Sequence, residues 1–103
     1  MTLGELEKII KTRACAPPES SWTARLLAKG PEKCAEKFGE EAIEAIIEAT
    51  RNDPEKLASE AADVLFHLMV MLHARGVSLA QVMAILESRQ SQSGLAEKAS
   101  RKE

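Results

Sequence analysis

Aromatic residues are nearly absent from this chain: two Phe, one Trp and no Tyr among 103 residues. So few ring faces argue against a base-stacking nucleic-acid surface, and they leave the core to aliphatic side chains and alanine. Excess positive charge is missing too. Fourteen basic against 16 acidic residues give a net charge of −2, so no global field draws a polyanion. The longest apolar run, Val64 to Leu72, is interrupted by His67 and falls well short of the ~20 residues a bilayer span needs. Neither a nucleic-acid nor a membrane partner is expected. Cys15 and Cys34 are the only cysteines, too few for a disulfide framework. Glu5, Glu7 and Lys8 lie where an apolar targeting core would stand, and a cytoplasmic chain with reduced thiols is the expectation.

What the chain does have is helix-forming sequence. Hydrophobic residues make up 45% of it, and Ala, Leu, Glu and Lys dominate, all good helix formers. The length suits one domain spanning 1–103. Thr2-Leu3-Gly4-Glu5 has the form of a capping box, opening a first helix that must stop before Pro17. Ser20 or Ser21 caps a short second helix through Trp22 to Lys29. Pro31 opens a third running to about Arg51, and Asp53-Pro54 opens a fourth ending near Arg75, before Gly76. Ser78-Leu79-Ala80-Gln81 begins a fifth. From about Gln90 the sequence is polar and reads as a loosely held tail, residues 91–103. The fold class expected is an all-α bundle of about five helices around a central antiparallel hairpin.

The fourth helix is apolar around almost its whole circumference, with Ala61, Ala62, Val64, Leu65, Phe66, Leu68, Met69, Val70, Met71 and Leu72. A helix of that kind must be buried on every side, and five helices are too few to enclose it. A second copy completing the bundle is therefore expected, as a homodimer.

Two acidic pairs carry the chemistry. Glu41-x-x-Glu44 and Glu60-x-x-Asp63 each place two carboxylates on one side of a helix. Fifteen residues separate the pairs, enough to finish a helix, turn at Asn52-Asp53-Pro54 and run back antiparallel. Four carboxylates then face each other across a helix contact, with Glu40 and Glu48 on the same arc as Glu41 and Glu44. Each close like-charge pair costs roughly 1 kcal/mol in water and about 4 at an effective dielectric of 20. A hard divalent cation offsets that repulsion most simply. All-oxygen ligands favour Mg²⁺, with Mn²⁺ as a substitute. A di-iron bundle needs Glu-x-x-His motifs, and Val64 and Val70 stand where those glutamates would be. Mg²⁺ in an open carboxylate site suits hydrolysis of a phosphoanhydride. His67, one turn beyond Asp63, reads as a hydrogen-bonded core histidine.

The segments Lys37-Phe38-Gly39-Glu40-Glu41-Ala42-Ile43-Glu44 and Glu60-Ala61-Ala62-Asp63-Val64-Leu65-Phe66-His67 resemble the all-α nucleotide pyrophosphohydrolase superfamily. Adding Ser21-Trp22-Thr23-Ala24-Arg25-Leu26, Gly76-Val77-Ser78-Leu79 and the tail Ser93–Arg101, the chain is similar to the phosphoribosyl-ATP pyrophosphohydrolase family of histidine biosynthesis. The resemblance implies a dimeric helical enzyme that uses Mg²⁺ to cleave phosphoribosyl-ATP between its α- and β-phosphates. It implies metal ligation by Glu41, Glu44, Glu60 and Asp63, with Glu40 or Glu48 orienting the attacking water.

So heavily phosphorylated a substrate also needs cations, preferably arginine for two-pronged contact. Arg25, Lys29, Lys33 and Lys37 precede or begin the acidic helix, and Lys98 and Arg101 lie in the tail. Two rival readings remain open: a house-cleaning hydrolase of free deoxynucleoside triphosphates, and a non-catalytic assembly dimer. The first has few rings with which to read a base. The second leaves the inward carboxylates unexplained.

Overall fold

Among the described residues, four of the five helices begin at a side chain that satisfies their first free amides. The computed structural model describes residues 1–90, and these form α1 (Leu3–Ala14), α2 (Trp22–Ala28), α3 (Pro31–Thr50), α4 (Pro54–Ala74) and α5 (Leu79–Gln90). Thr2 and Glu5 make the expected reciprocal box. The Thr2 N–H donates to Glu5 Oε1 at 2.7 Å, and the Glu5 N–H to Thr2 Oγ1 at 3.1 Å. Ser21 Oγ accepts from the Ala24 N–H at 3.1 Å and donates to the Arg13 carbonyl at 3.0 Å, tying α2 to the end of α1. Asp53 Oδ1 accepts from the Lys56 N–H at 3.1 Å. Caps of this kind contribute about 1 kcal/mol each.

Three positions of left-handed backbone set the corners. Gly30, at φ 100°, leads into α3, Asn52, at φ 58°, reverses the chain between α3 and α4, and Gly76, at φ 70°, turns it between α4 and α5. Asparagine is among the few non-glycine residues that visit this region readily. The three-residue connection, 51–53, returns α4 along α3, and these two helices share the most extensive contact in the fold.

The start of α5 is held from a distance. Ser78 and Gln81 form the expected box, and in addition Glu7 Oε2 on α1 accepts the Leu79 N–H at 2.8 Å. Nothing in the local sequence signals that second cap.

The buried core, Ile10, Leu26, Cys34, Met69 and Val70, lies where α1 and α2 meet the start of α3 and the later half of α4. Cys34 and Cys15 are both free thiols. Away from that core the hairpin is apolar but uncovered. Ile43, Ile46 and Ile47 on α3, Leu65 on α4, and Met83, Ile85 and Leu86 on α5 are all exposed. Within one chain, only His67, Met69 and Val70 of α4 are buried, so the all-round enclosure expected for this helix is not supplied by its own neighbours. The Cα radius of gyration, 15.8 Å, exceeds the ~13 Å typical of a closed domain of this length.

α4 is also longer and more apolar than the interrupted run suggested. An 18-residue stretch within its 21 residues is long and apolar enough, by length and composition alone, to cross a bilayer, because Ala58, Ala61 and Ala62 extend the apolar stretch backwards. That stretch includes Glu60 and Asp63.

Candidate metal and phosphate site

The α3–α4 contact brings the two acidic motifs together. One oxygen each from Glu41, Glu60 and Asp63 lies within 4.8 Å of the others. Glu44, one turn beyond Glu41 on α3, stands close enough to raise the pKa of both Glu41 and Glu60. The register is regular: Glu44 meets Glu60, Glu41 meets Asp63, and one turn further Lys37 acts electrostatically on His67. Going back along α3 by three or four residues matches going forward along α4 by the same step, as one-turn spacing requires.

The electrostatics record the crowding. Glu41 is pushed above the ordinary carboxylate range, chiefly by desolvation, then by the charges of Glu44 and Asp63 and a hydrogen bond with Glu44; Lys37 opposes the shift. Glu60 is raised by desolvation, by its hydrogen bond to Glu44, and by the charges of Glu44, Asp63 and Glu41. Its Oε2 is enclosed and has no hydrogen-bond partner. An enclosed carboxylate oxygen left unpaired is costly.

These residues fit a hard divalent cation. The donors are all oxygen, one is already desolvated and unpartnered, and mutual repulsion raises two of the carboxyls. Ligands about 2.1 Å from one Mg²⁺ lie at most about 4.2 Å apart, so the 4.8 Å grouping needs only small rotamer adjustments to share an ion.

The remaining expected residues fall into distinct surroundings. Lys37 stands at the cluster, its Nζ 3.8 Å from both Glu40 Oε2 and Glu41 Oε1. The third helix thus carries more internal compensation than expected, and Lys37–Glu41 was legible as an i, i+4 pair. Glu40 is exposed. Glu48 is half-buried: its Oε2 is 4.0 Å from Arg51, while its Oε1 is enclosed without a partner. Lys33 pairs with Glu36 at 3.1 Å, and Arg25 donates to the Pro18 and Glu19 carbonyls at 3.2 and 3.4 Å. Neither joins the carboxylates. Lys98 and Arg101 lie outside the described residues.

His67 departs from its expected role. It is buried, 7% exposed, yet Nδ1 has no hydrogen-bond partner. Desolvation and the charge of Lys37 lower its pKa, against Asp63 and Glu40, so the ring is neutral near pH 7. An ordinary core histidine would have been satisfied.

Fold and site together define an all-α protein whose central hairpin presents a carboxylate cluster of cation-binding character. The family model for phosphoribosyl-ATP pyrophosphohydrolase matches residues 3–90. Proteins named phosphoribosyl-ATP pyrophosphatase are similar over nearly the whole chain. One from Cereibacter sphaeroides is 68% identical over 99 residues, covering 96% of each chain. One from Dinoroseobacter shibae is 68% identical, covering 96% of this chain and 97% of its own. One from Paracoccus denitrificans is 63% identical over 100 residues, covering 97% and 93%. The chain belongs to the phosphoribosyl-ATP pyrophosphohydrolase family, and it is an enzyme, a hydrolase.

Proposed function

We propose that the chain hydrolyses phosphoribosyl-ATP between its α- and β-phosphates, releasing phosphoribosyl-AMP and pyrophosphate, in the second step of histidine biosynthesis. The observation that carries this reading is the convergence of Glu41, Glu60 and Asp63 within 4.8 Å, with the charge of Glu44 acting on two of them. The names of the relatives supply the substrate.

Glu41, Glu44, Glu60 and Asp63 would hold Mg²⁺, or Mn²⁺ in its place. When bound, the ion orients phosphate oxygens, screens developing charge and makes water a better nucleophile. The protein's own groups do the rest. Glu48 has an enclosed, unpartnered Oε1 with which to accept a proton of the attacking water and aim it. Glu40, paired with Lys37, is the alternative acceptor. Lys37, beside the carboxylates, neutralises a phosphate brought against them. Arg25, Lys33, Lys98 and Arg101 are assigned to the outlying phosphates. The ion pair that now occupies Lys33 is exposed, of a kind contributing about 0–1 kcal/mol, and the carbonyl contacts of Arg25 are exposed too; a phosphate can displace both.

The working form is a cytoplasmic homodimer. Exposed isoleucines on α3, exposed Leu65 on α4 and the extended single-chain envelope support it. On this reading α4 is the core helix of a dimer rather than a bilayer span.

The deciding experiment is pyrophosphate release from phosphoribosyl-ATP, with Mg²⁺ and with chelator, for the wild type and Glu44→Gln. Activity should require the metal and fall at least about 100-fold in the variant, in line with losing a preorganised charge at a reacting phosphate. Equal turnover of dCTP, or turnover undiminished in chelator, would overturn the assignment.

A further inference from the structure

The carboxylate row continues beyond its acidic part into a different chemistry. One turn past Asp63 on α4 stands His67, and one turn before Glu41 on α3 stands Lys37. One-turn spacing along both helices places the imidazole at the end of the cluster, where the charges of Lys37, Asp63 and Glu40 act on it.

Two facts decide what this imidazole offers. Nδ1 is enclosed and has neither donor nor acceptor within reach. A buried donor without an acceptor is rarer and more costly than an under-used acceptor. In the neutral ring the proton therefore sits on Nε2, the nitrogen furthest from the backbone, because the partner of one ring nitrogen sets the state of the other. Lys37 adds a positive charge nearby, already 3.8 Å from two carboxylates. A cation beside a neutral N–H donor, adjoining a row of metal-type oxygens, is complementary to a phosphate group whose other oxygens face a divalent ion.

We propose that His67 contacts the substrate, its Nε2–H donating to an oxygen of the phosphate group that Lys37 neutralises beside the carboxylate cluster. The assignment rests on the phosphoribosyl-ATP reading for its substrate. The contact itself needs only a diphosphate or triphosphate seated with the metal.

The test uses two amide replacements in the full chain. Gln places its amide nitrogen near the position of Nε2, whereas Asn reaches only the position of Nδ1. His67→Gln should keep KM for phosphoribosyl-ATP within about threefold of wild type. His67→Asn should raise it about 10- to 100-fold, the range for losing a hydrogen bond to a charged group. A structural role would not separate the two variants in this order.

The second readout is independent of turnover: the rise in melting temperature produced by inorganic pyrophosphate at saturating Mg²⁺. It should persist in His67→Gln and shrink in His67→Asn, while the rise produced by Mg²⁺ alone is the same in both. If the two variants lose equally in both readouts, or neither loses, the contact is refuted. If wild type fails to cleave phosphoribosyl-ATP, the functional reading fails, and the pyrophosphate melt still decides the role of His67.

Discussion

Replacing Glu41 by Gln should have opposite effects with and without metal. At the 4.8 Å limit, Glu41 and Asp63 repel by about 0.9 kcal/mol at the dielectric of water and about 3.5 at an effective value of 20. Both side chains keep solvent contact, so the lower figure applies more nearly. Glu44 adds repulsion of the same kind, while Lys37 at 3.8 Å returns about 1.1 kcal/mol of attraction at the dielectric of water. Roughly 1 kcal/mol of net repulsion is left on Glu41. Gln keeps the shape and removes the charge, so in excess chelator the variant should melt about 4 °C above wild type, given 4–8 °C per kcal/mol for a domain of this size. With Mg²⁺ the order should invert. An ion at 100 times its dissociation constant stabilises wild type by about 2.7 kcal/mol, and a variant lacking one charged ligand forfeits most of that gain. The assay is a pair of thermal melts followed by circular dichroism, at one protomer concentration because the proposed dimer makes melting concentration-dependent. A variant that melts lower in chelator, or that keeps the full Mg²⁺ response, would refute the account of these carboxylates.

Other outcomes follow from the same geometry. Glu41 and Glu60 both titrate above their ordinary value in the folded protein. Their contribution to stability is therefore complete below the unfolded pKa and lost as pH rises through the folded one. In chelator the melting temperature should fall as pH climbs out of the carboxylate range toward neutrality. With Mg²⁺ the trend should reverse, because protons and metal compete for the same oxygens; parallel curves would count against a shared site. A thiol reagent should label one cysteine per native chain and two after denaturation. Cys15 is exposed, whereas Cys34 is buried, its Sγ–H directed at the Leu26 carbonyl at 3.7 Å and its thiol pKa raised by burial. Ile46→Glu, at a position 61% exposed in the single chain, should convert a sedimenting dimer to a folded monomer. An unchanged sedimentation coefficient would place the interface elsewhere.

The helices were legible because their ends carry local signals. Thr2 with Glu5, Ser21, Asp53-Pro54 and Ser78 with Gln81 each act within four residues, and each cap forms where its residue type demands. The meeting of Glu41 with Glu60 and Asp63 was legible for a related reason: a short turn fixes the register of an antiparallel pair, and one-turn spacing does the rest. What escaped depends on contacts between distant segments. The Glu7 cap on Leu79 spans 72 residues, and no window of sequence holds both ends. The unsatisfied Nδ1 of His67 escaped for the opposite reason, since a missing partner leaves no trace in the chain. The enclosure expected around α4 followed from composition, but composition does not say which surface does the covering.

The Glu7–Leu79 bond makes one mechanical unit of α1 and α5. The amide of Leu79 is released only when Glu7 lets go, so solvent exchange there reports the lifting of α1. Trimming the beginning of the chain would accordingly unmoor the start of α5. Since Glu7 and Leu79 belong to different helices from the carboxylates, that clasp can loosen while the hairpin itself stays closed.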